Sequence, residues 1–299
     1  MRALGMIACL LLAHCAPNMG NPASLIVREQ IIGVHANPAE AAPGDLVQYS
    51  SLVASPSGTV PAEDLLWSLC NLRKPVAENT PVSQACLTEE LPQSGQGADV
   101  SIQTPSAACV NFGSLAPPSK GGTLRPSDPD ATGGYYQPIR LDLAAEQAIF
   151  RERLRCGLAG ASLLMSQEFR TRYTANRNPA ILSLSARVGE NPTSLDALPA
   201  SQRIRLVATW SSDSAESYPV FDSASQTIVD RREALLLSWF ATAGAFYAST
   251  TGRAEDDPAA FTENEWQSPS AAGVVFLWLV LHDSRGGTDF ASFTVTVLP

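Results

Sequence analysis

Few side chains in this 299-residue chain are suited to chemistry. There are three histidines: His14, His35 and His282. A hydrolase built on serine needs a histidine held by a carboxylate and facing the nucleophile. His282, Asp283 and Ser284 are neighbours in sequence, but adjacent residues of a strand point to opposite faces, so they cannot align with one another. No Gly-x-Ser-x-Gly elbow occurs. Acids are plentiful, at 29. Glu255-Asp256-Asp257 follow Gly252, with Glu263 and Glu265 close behind. Exported β-sandwiches bind calcium through oxygen ligands at loop ends, yet no Asp-x-Asp-x-Asp-Gly register appears, and a solvated loop is expected. A carboxylate pair for glycan hydrolysis is defined by its spacing in the fold, which sequence does not give. Tyr135, Tyr136, Tyr218, Phe246, Tyr247 and Trp266 fall in or near expected loops and are candidates for a sugar-binding platform. Trp67, Trp210, Trp239 and Trp278 lie on apolar or alternating runs and are expected in the core. No catalytic, cofactor-binding or metal-ligating residue is assigned, and the chain is expected not to be an enzyme.

The six cysteines divide into two groups. Cys9 and Cys15 belong to the N-terminal stretch, and Cys70, Cys86, Cys109 and Cys156 to the body of the chain. Four cysteines in an oxidising compartment read as two disulfides, with three possible connectivities. The segment between Cys70 and Cys86 is rich in turn formers (Asn71, Pro75, Asn79, Pro81), which favours that pair, with Cys109–Cys156 as the second. Zinc sites favour close pairs such as Cys-x-x-Cys, and none is present.

The compartment is read from the start of the chain. Arg2 precedes an apolar run from Ala3 to Ala13, too short to span a bilayer and typical of a secretion signal. Leu12-Ala13-His14-Cys15 resembles the lipobox of bacterial lipoproteins. That resemblance implies cleavage before Cys15 and acylation of Cys15, hence a membrane partner through a lipid anchor at the outer membrane of a cell envelope. His14 departs from the usual Gly, Ala or Ser, and ordinary cleavage near Ala13 to Ala16, giving a secreted protein, is the alternative. The net charge of −9 is spread along the chain, which disfavours nucleic acid as a partner. An envelope protein or glycan is the expected contact.

The elements that must position these residues are strands. Short alternating or apolar runs are separated by Pro, Gly, Ser and Asn. They cover 29–35, 46–54, 65–70, 137–143, 180–188, 203–210, 235–242, 273–281 and 290–298. Between Leu87 and Gly134 only Cys109-Val110-Asn111-Phe112 reads as a strand. Arg151 to Leu164 reads as another. Asn176-Arg177-Asn178-Pro179 reads as a junction, and Asp283 to Thr288 as a hairpin with glycines suited to positive φ.

Strand, Pro43-Gly44 turn, strand and then the Trp67 strand resemble the opening of an immunoglobulin-like sandwich. Leu235 to Val297, with Ser238-Trp239 and the Asp283-x-x-Gly286 turn, resembles the C-terminal strands of PKD-type immunoglobulin-like modules. Together with the lipobox, the chain is similar to bacterial lipoproteins of GC-rich Gram-negative species that carry such modules. The resemblance implies an all-β fold of two immunoglobulin-like β-sandwich domains in tandem after a signal segment. The expected organisation is a signal peptide over 1–14, a tether over 15–27, a disulfide-stapled sandwich over 28–176 and a PKD-type sandwich over 177–299. The expected function is a non-catalytic binding or structural module, with a carboxylate-dependent glycan hydrolase or an accessory subunit of an envelope assembly as alternatives.

Overall fold

The computed structural model describes residues 22–75, 77–111, 131–144 and 146–299. The expected signal peptide, with His14 and the proposed lipidation site Cys15, lies outside the described residues. The fold is all-β. The N-terminal half holds β1 (Gln30–Asn37), β2 (Glu40–Ala41), β3 (Leu46–Ser55), β4 (Gly58–Thr59), β5 (Leu66–Leu69), β6 (Gln93–Gln96), β7 (Asp99–Gln103), β8 (Gly134–Leu143) and β9 (Glu146–Arg155). The C-terminal half holds β10 (Ile181–Val188), β11 (Asn191–Thr193), β12 (Leu198–Pro199), β13 (Arg203–Trp210), β14 (Ser217–Asp222) and β15 (Thr227–Arg232). It continues with β16 (Leu235–Ala241), β17 (Ala245–Phe246), β18 (Thr250–Arg253), β19 (Phe261–Gln267), β20 (Gly273–Asp283) and β21 (Thr288–Leu298). Among the described residues three helices interrupt the strands: α1 (Ala85–Thr88), α2 (Ala108–Asn111) and α3 (Leu163–Arg172). Among the described residues no helix is long and apolar enough to cross a membrane.

The two halves repeat one topology. In the first, β3 lies between β1 and β7, opposite a sheet ordered β2-β9-β8-β5-β6. In the second, β13 lies between β10 and β19, opposite a sheet ordered β12-β21-β20-β16-β18. In each half a two-residue strand pairs parallel with the last strand, β2 with β9 and β12 with β21, while the remaining pairs of these sheets are antiparallel. Each half is a β-sandwich whose inward faces alternate with polar outward ones. Trp67 on β5 and Trp239 on β16 occupy matching strands and are fully buried. The Trp67 indole donates to Gly97 O at 2.8 Å and that of Trp239 to Thr251 Oγ1 at 2.9 Å, so neither N–H is stranded in the core.

The sandwiches pack side against side. Leu52 and Ala54, on the outward face of β3, meet Trp278 and Val280, on the outward face of β20, and Ile26 seals the contact. Trp278 therefore belongs to this third apolar cluster rather than to the core of its own sandwich, and its indole reaches across to Thr59 Oγ1 at 2.8 Å. Burying such side chains contributes about 1.5–3 kcal/mol each. Four sheets result, stacked in sequence. The tether expected over 15–27 is docked where it is described. Ile26 donates to Ala241 O and Ala241 to Ser24 O, which pins residues 24–26 to the end of β16.

Three further expectations are corrected. Cys109 lies in a helical turn, α2, and the strands of that stretch are β6 and β7, whose Gly and Ser content masked them. The expected strand over Arg151–Leu164 stops at Arg155. Gly157 and Gly160 adopt positive φ, the Ser162 hydroxyl accepts from Met165 N, and α3 begins. A hairpin of β14 and β15, absent from the sequence reading, lies against α3.

Candidate functional site

The most elaborate polar construction is the segment that joins the sandwiches. It is built around two buried arginines, Arg153 on β9 and Arg285 in the β20–β21 hairpin, with the connecting chain 173–181 threaded between them.

Around Arg153, Nε donates to Glu40 Oε2 at 3.1 Å, and both side chains are sealed from solvent. Its Nη2 donates to Thr132 O at 2.8 Å, and its Nη1 to Tyr136 Oη at 3.2 Å. Glu40 is placed by β2, which pairs it with Arg153 in register. Tyr173 Oη and Asn176 N also donate to the Glu40 carboxylate. Gly134 makes the room: a Cβ there would stand 2.2 Å from Arg153 Nη1.

Around Arg285, Nε donates to Glu233 Oε1 at 2.6 Å, Nη2 to Glu216 Oε2 at 2.7 Å and Nη1 to Thr174 O at 3.0 Å. The guanidinium lies over the Tyr218 ring at 4.7 Å. Asp283 accepts from Arg285 N, Gly287 N and Asn176 Nδ2. At Gly287 a Cβ would stand 2.1 Å from Asp283 Oδ2, so the glycine is required for this turn. Burial, then the neighbouring Asp283, pushes the Glu233 carboxyl up to about 7 against the pull of Arg285. Burial raises Asp283 as well.

The connecting chain is bonded almost residue by residue. Thr174 O, Asn176 N and Arg177 N are held by Arg285, Glu40 and Glu216. The Asn178 side chain donates to Ala36 O in the first sandwich and accepts from Thr288 N in the second. Ala180 N and Ile181 N are taken by Ser214 and Asp289. Tyr136 Oη donates directly to Arg285 O. Breaking such buried pairs by removing one partner costs about 3–5 kcal/mol, so the arrangement fixes one relative orientation.

The residues singled out in the sequence are distributed elsewhere. Cys70 bonds Cys86 and Cys109 bonds Cys156. His35 makes an edge contact with Phe290, and His282 Nδ1 lies 2.8 Å from Thr288 Oγ1; burial lowers both imidazoles. Of the acidic stretch, Asp257 pairs with Arg253 and Glu265 with Arg203, while Glu255 and Asp256 are exposed. Among the described residues no three His, Cys, Asp or Glu converge on a metal position. The aromatic platform is not assembled. Trp266 is fully buried on β19 and Tyr218 stacks on Arg285, which leaves Tyr247 as the exposed member at 87%. Sequence reasoning missed Glu40, Arg153, Glu216 and Glu233, whose partners are distant in the chain. The one local signal was the pair of Gly-Gly steps, Gly133-Gly134 and Gly286-Gly287, each beside a buried arginine or its acid.

No protein family model matches the chain, and no curated protein matches it. Similar solved structures include the D00–D0 domain of intimin, at 9% identity and a TM-score of 0.27, covering 89% of this chain and 100% of that one. The Yersinia pseudotuberculosis adhesin InvE aligns at 10% identity and a TM-score of 0.25, over 89% of this chain and 58% of its own. Invasin, a bacterial integrin-binding protein, aligns at 10% identity and a TM-score of 0.21, over 91% of this chain and 39% of its own. The functional reading below rests on the residues of the chain itself.

Proposed function

We propose that the chain is an exported, non-catalytic binding or structural module of the cell envelope, whose two sandwiches act as one rigid body. The observation that carries this reading is the pinned connection 173–181, with an arginine-centred network on either side of it. A hinge between domains needs free backbone. Here the amides of Asn176 and Arg177 and the carbonyl of Thr174 are committed to side chains of both sandwiches, and the Asn178 side chain bonds backbone in each. The acids buried at the junction are engaged by arginine and backbone donors, and no observation favours the hydrolase reading.

Export and anchoring belong to the same proposal. The Leu12-Ala13-His14-Cys15 segment supports acylation of Cys15, and two disulfides suit an oxidising compartment. The contact class is an envelope protein or glycan, with the membrane reached through the lipid. Spin labels at the exposed Glu63 and Tyr247, one on each sandwich, test the rigid body. A single narrow distance distribution is expected, and a broad or multi-peaked one would defeat it. The intact mass of the mature protein tests the anchor: a chain starting at Cys15 with added acyl mass supports it, and an unmodified chain starting elsewhere refutes it.

A further inference from the structure

The first sandwich carries a polar site in its core that the junction does not use. Tyr49 on β3, Gln137 on β8 and Glu152 on β9 all point inward and are at most 1% exposed. Gln137 and Glu152 are directly opposed across β8 and β9, and Tyr49 reaches toward them from the facing sheet. Tyr49 Oη, Gln137 Oε1 and both carboxyl oxygens of Glu152 have no hydrogen-bond partner. The Gln137 amide nitrogen is spent on Cys70 O at 2.7 Å and Pro138 O, so Oε1 is the atom left over. Four unpaired buried oxygens from three strands are what an internal water needs, since such waters take two to four polar partners.

The surroundings offer this acid no cation. Arg153, the next residue of β9, is committed to Glu40, Thr132 and Tyr136. The groups that act on it are the Glu40 carboxylate from β2 and the Tyr49 hydroxyl from β3, and neither supplies positive charge. Burial first, and the Glu40 charge second, raise the Glu152 carboxyl well above its ordinary range. The second sandwich shows that the topology does not demand this. At the matching opposed positions of β20 and β21 it has Val275 and Val295, both buried in an apolar core.

We propose that Glu152 is carried as a neutral acid in the first core, where ordered water joins it to Gln137 and Tyr49, and that this site adds a loss of stability to the first sandwich as pH rises. The sign follows from linkage. An acid held neutral in the fold but free to ionise when unfolded favours folding fully only below its unfolded range, and this contribution is lost as pH rises.

The test is made in full-length mature protein carrying Glu233→Gln, which removes one raised junction acid; the other, Asp283, is common to all the variants compared and cancels between them. Infrared spectra at pH 7 should show a protonated carboxylic acid carbonyl that disappears in Glu152→Gln. Hydrogen exchange, corrected for intrinsic rate, should show protection of the β8 and β9 amides falling by up to about tenfold per pH unit as pH rises above the unfolded range of a glutamate. Protection of β20 and β21 should fall less. In Glu152→Gln the extra loss should vanish. Should Glu152→Gln fail to fold, the Gln137→Val, Glu152→Val double variant, which copies the second sandwich, serves in its place. Absence of the acid carbonyl band, or an unchanged pH slope after either substitution, overturns the proposal.

Discussion

Laid over each other by strand order, the two sandwiches agree in topology and diverge along their last strands. The first has Glu152, Arg153 and Leu154 where the second has Val295, Thr296 and Val297. The short parallel strand opposite brings Glu40 and Ala41 in one case, and Leu198 and Pro199 in the other. The second sandwich closes this end with hydrocarbon and needs no partners for it. The first places charge there, and each charge then requires a donor, a glycine or a tyrosine from elsewhere. Topology sets where a side chain points; what must accompany it depends on its polarity. The polar end is also the end that meets the connecting chain, so the first sandwich spends its buried charge on orientation.

Six substitutions, in four steps, probe that difference. Arg153→Met should have the largest effect, about 3–5 kcal/mol of lost stability in urea titrations, because Glu40 is left buried without its cation. Thr296→Met at the matching site should stay within about 0.5 kcal/mol. Equal effects at the two sites would erase the contrast. Next come Gly134→Ala and Gly287→Ala, each forcing a methyl group into a filled arginine or aspartate site, at about 1–3 kcal/mol by thermal unfolding.

The third is a matter of pH. Glu233 is raised to about 7 in the fold, so its contribution is complete below its unfolded range near 4.5 and is lost as pH rises through 7. Its share of the decline should be at most about 1.4 kcal/mol per pH unit across that window, and Glu233→Gln should make the measured slope shallower. A slope unchanged by the substitution would move this titration to another group. The smallest effect belongs to Arg177→Ala. Arg177 is largely exposed, so the loss should be below about 1 kcal/mol despite its contact with Glu216.

The strands were legible because alternation reports the inward face, and Trp67, Trp210 and Trp239 mark the cores where the apolar runs place them. The disulfide pair Cys70–Cys86 was legible because its loop is short and rich in turns. What escaped had a common physical cause. Strands β6 and β7, each at the edge of a different sheet, carry Gly, Ser, Gln and Asp, because an edge strand buries little and needs few apolar residues. Trp278 alternates correctly, yet its face is covered by a different sandwich, and no periodicity distinguishes one cover from another. The junction was read at Asn176–Pro179, but the charges that hold it were invisible because Glu40 and Arg153 are 113 residues apart and look like ordinary surface charges in sequence. Trp266 misled because it sits near the end of a strand rich in Glu and Asn, while its own side chain points inward.

The docked residues 24–26 have a mechanical consequence. They precede the first sandwich in sequence but hydrogen-bond to Ala241 of the second. Tension applied ahead of residue 22 would therefore load β16 before it reached β1. The pull would enter the molecule at the seam between the sandwiches, where Ile26, Leu52 and Trp278 interlock, and both bodies would share the force from its first increment.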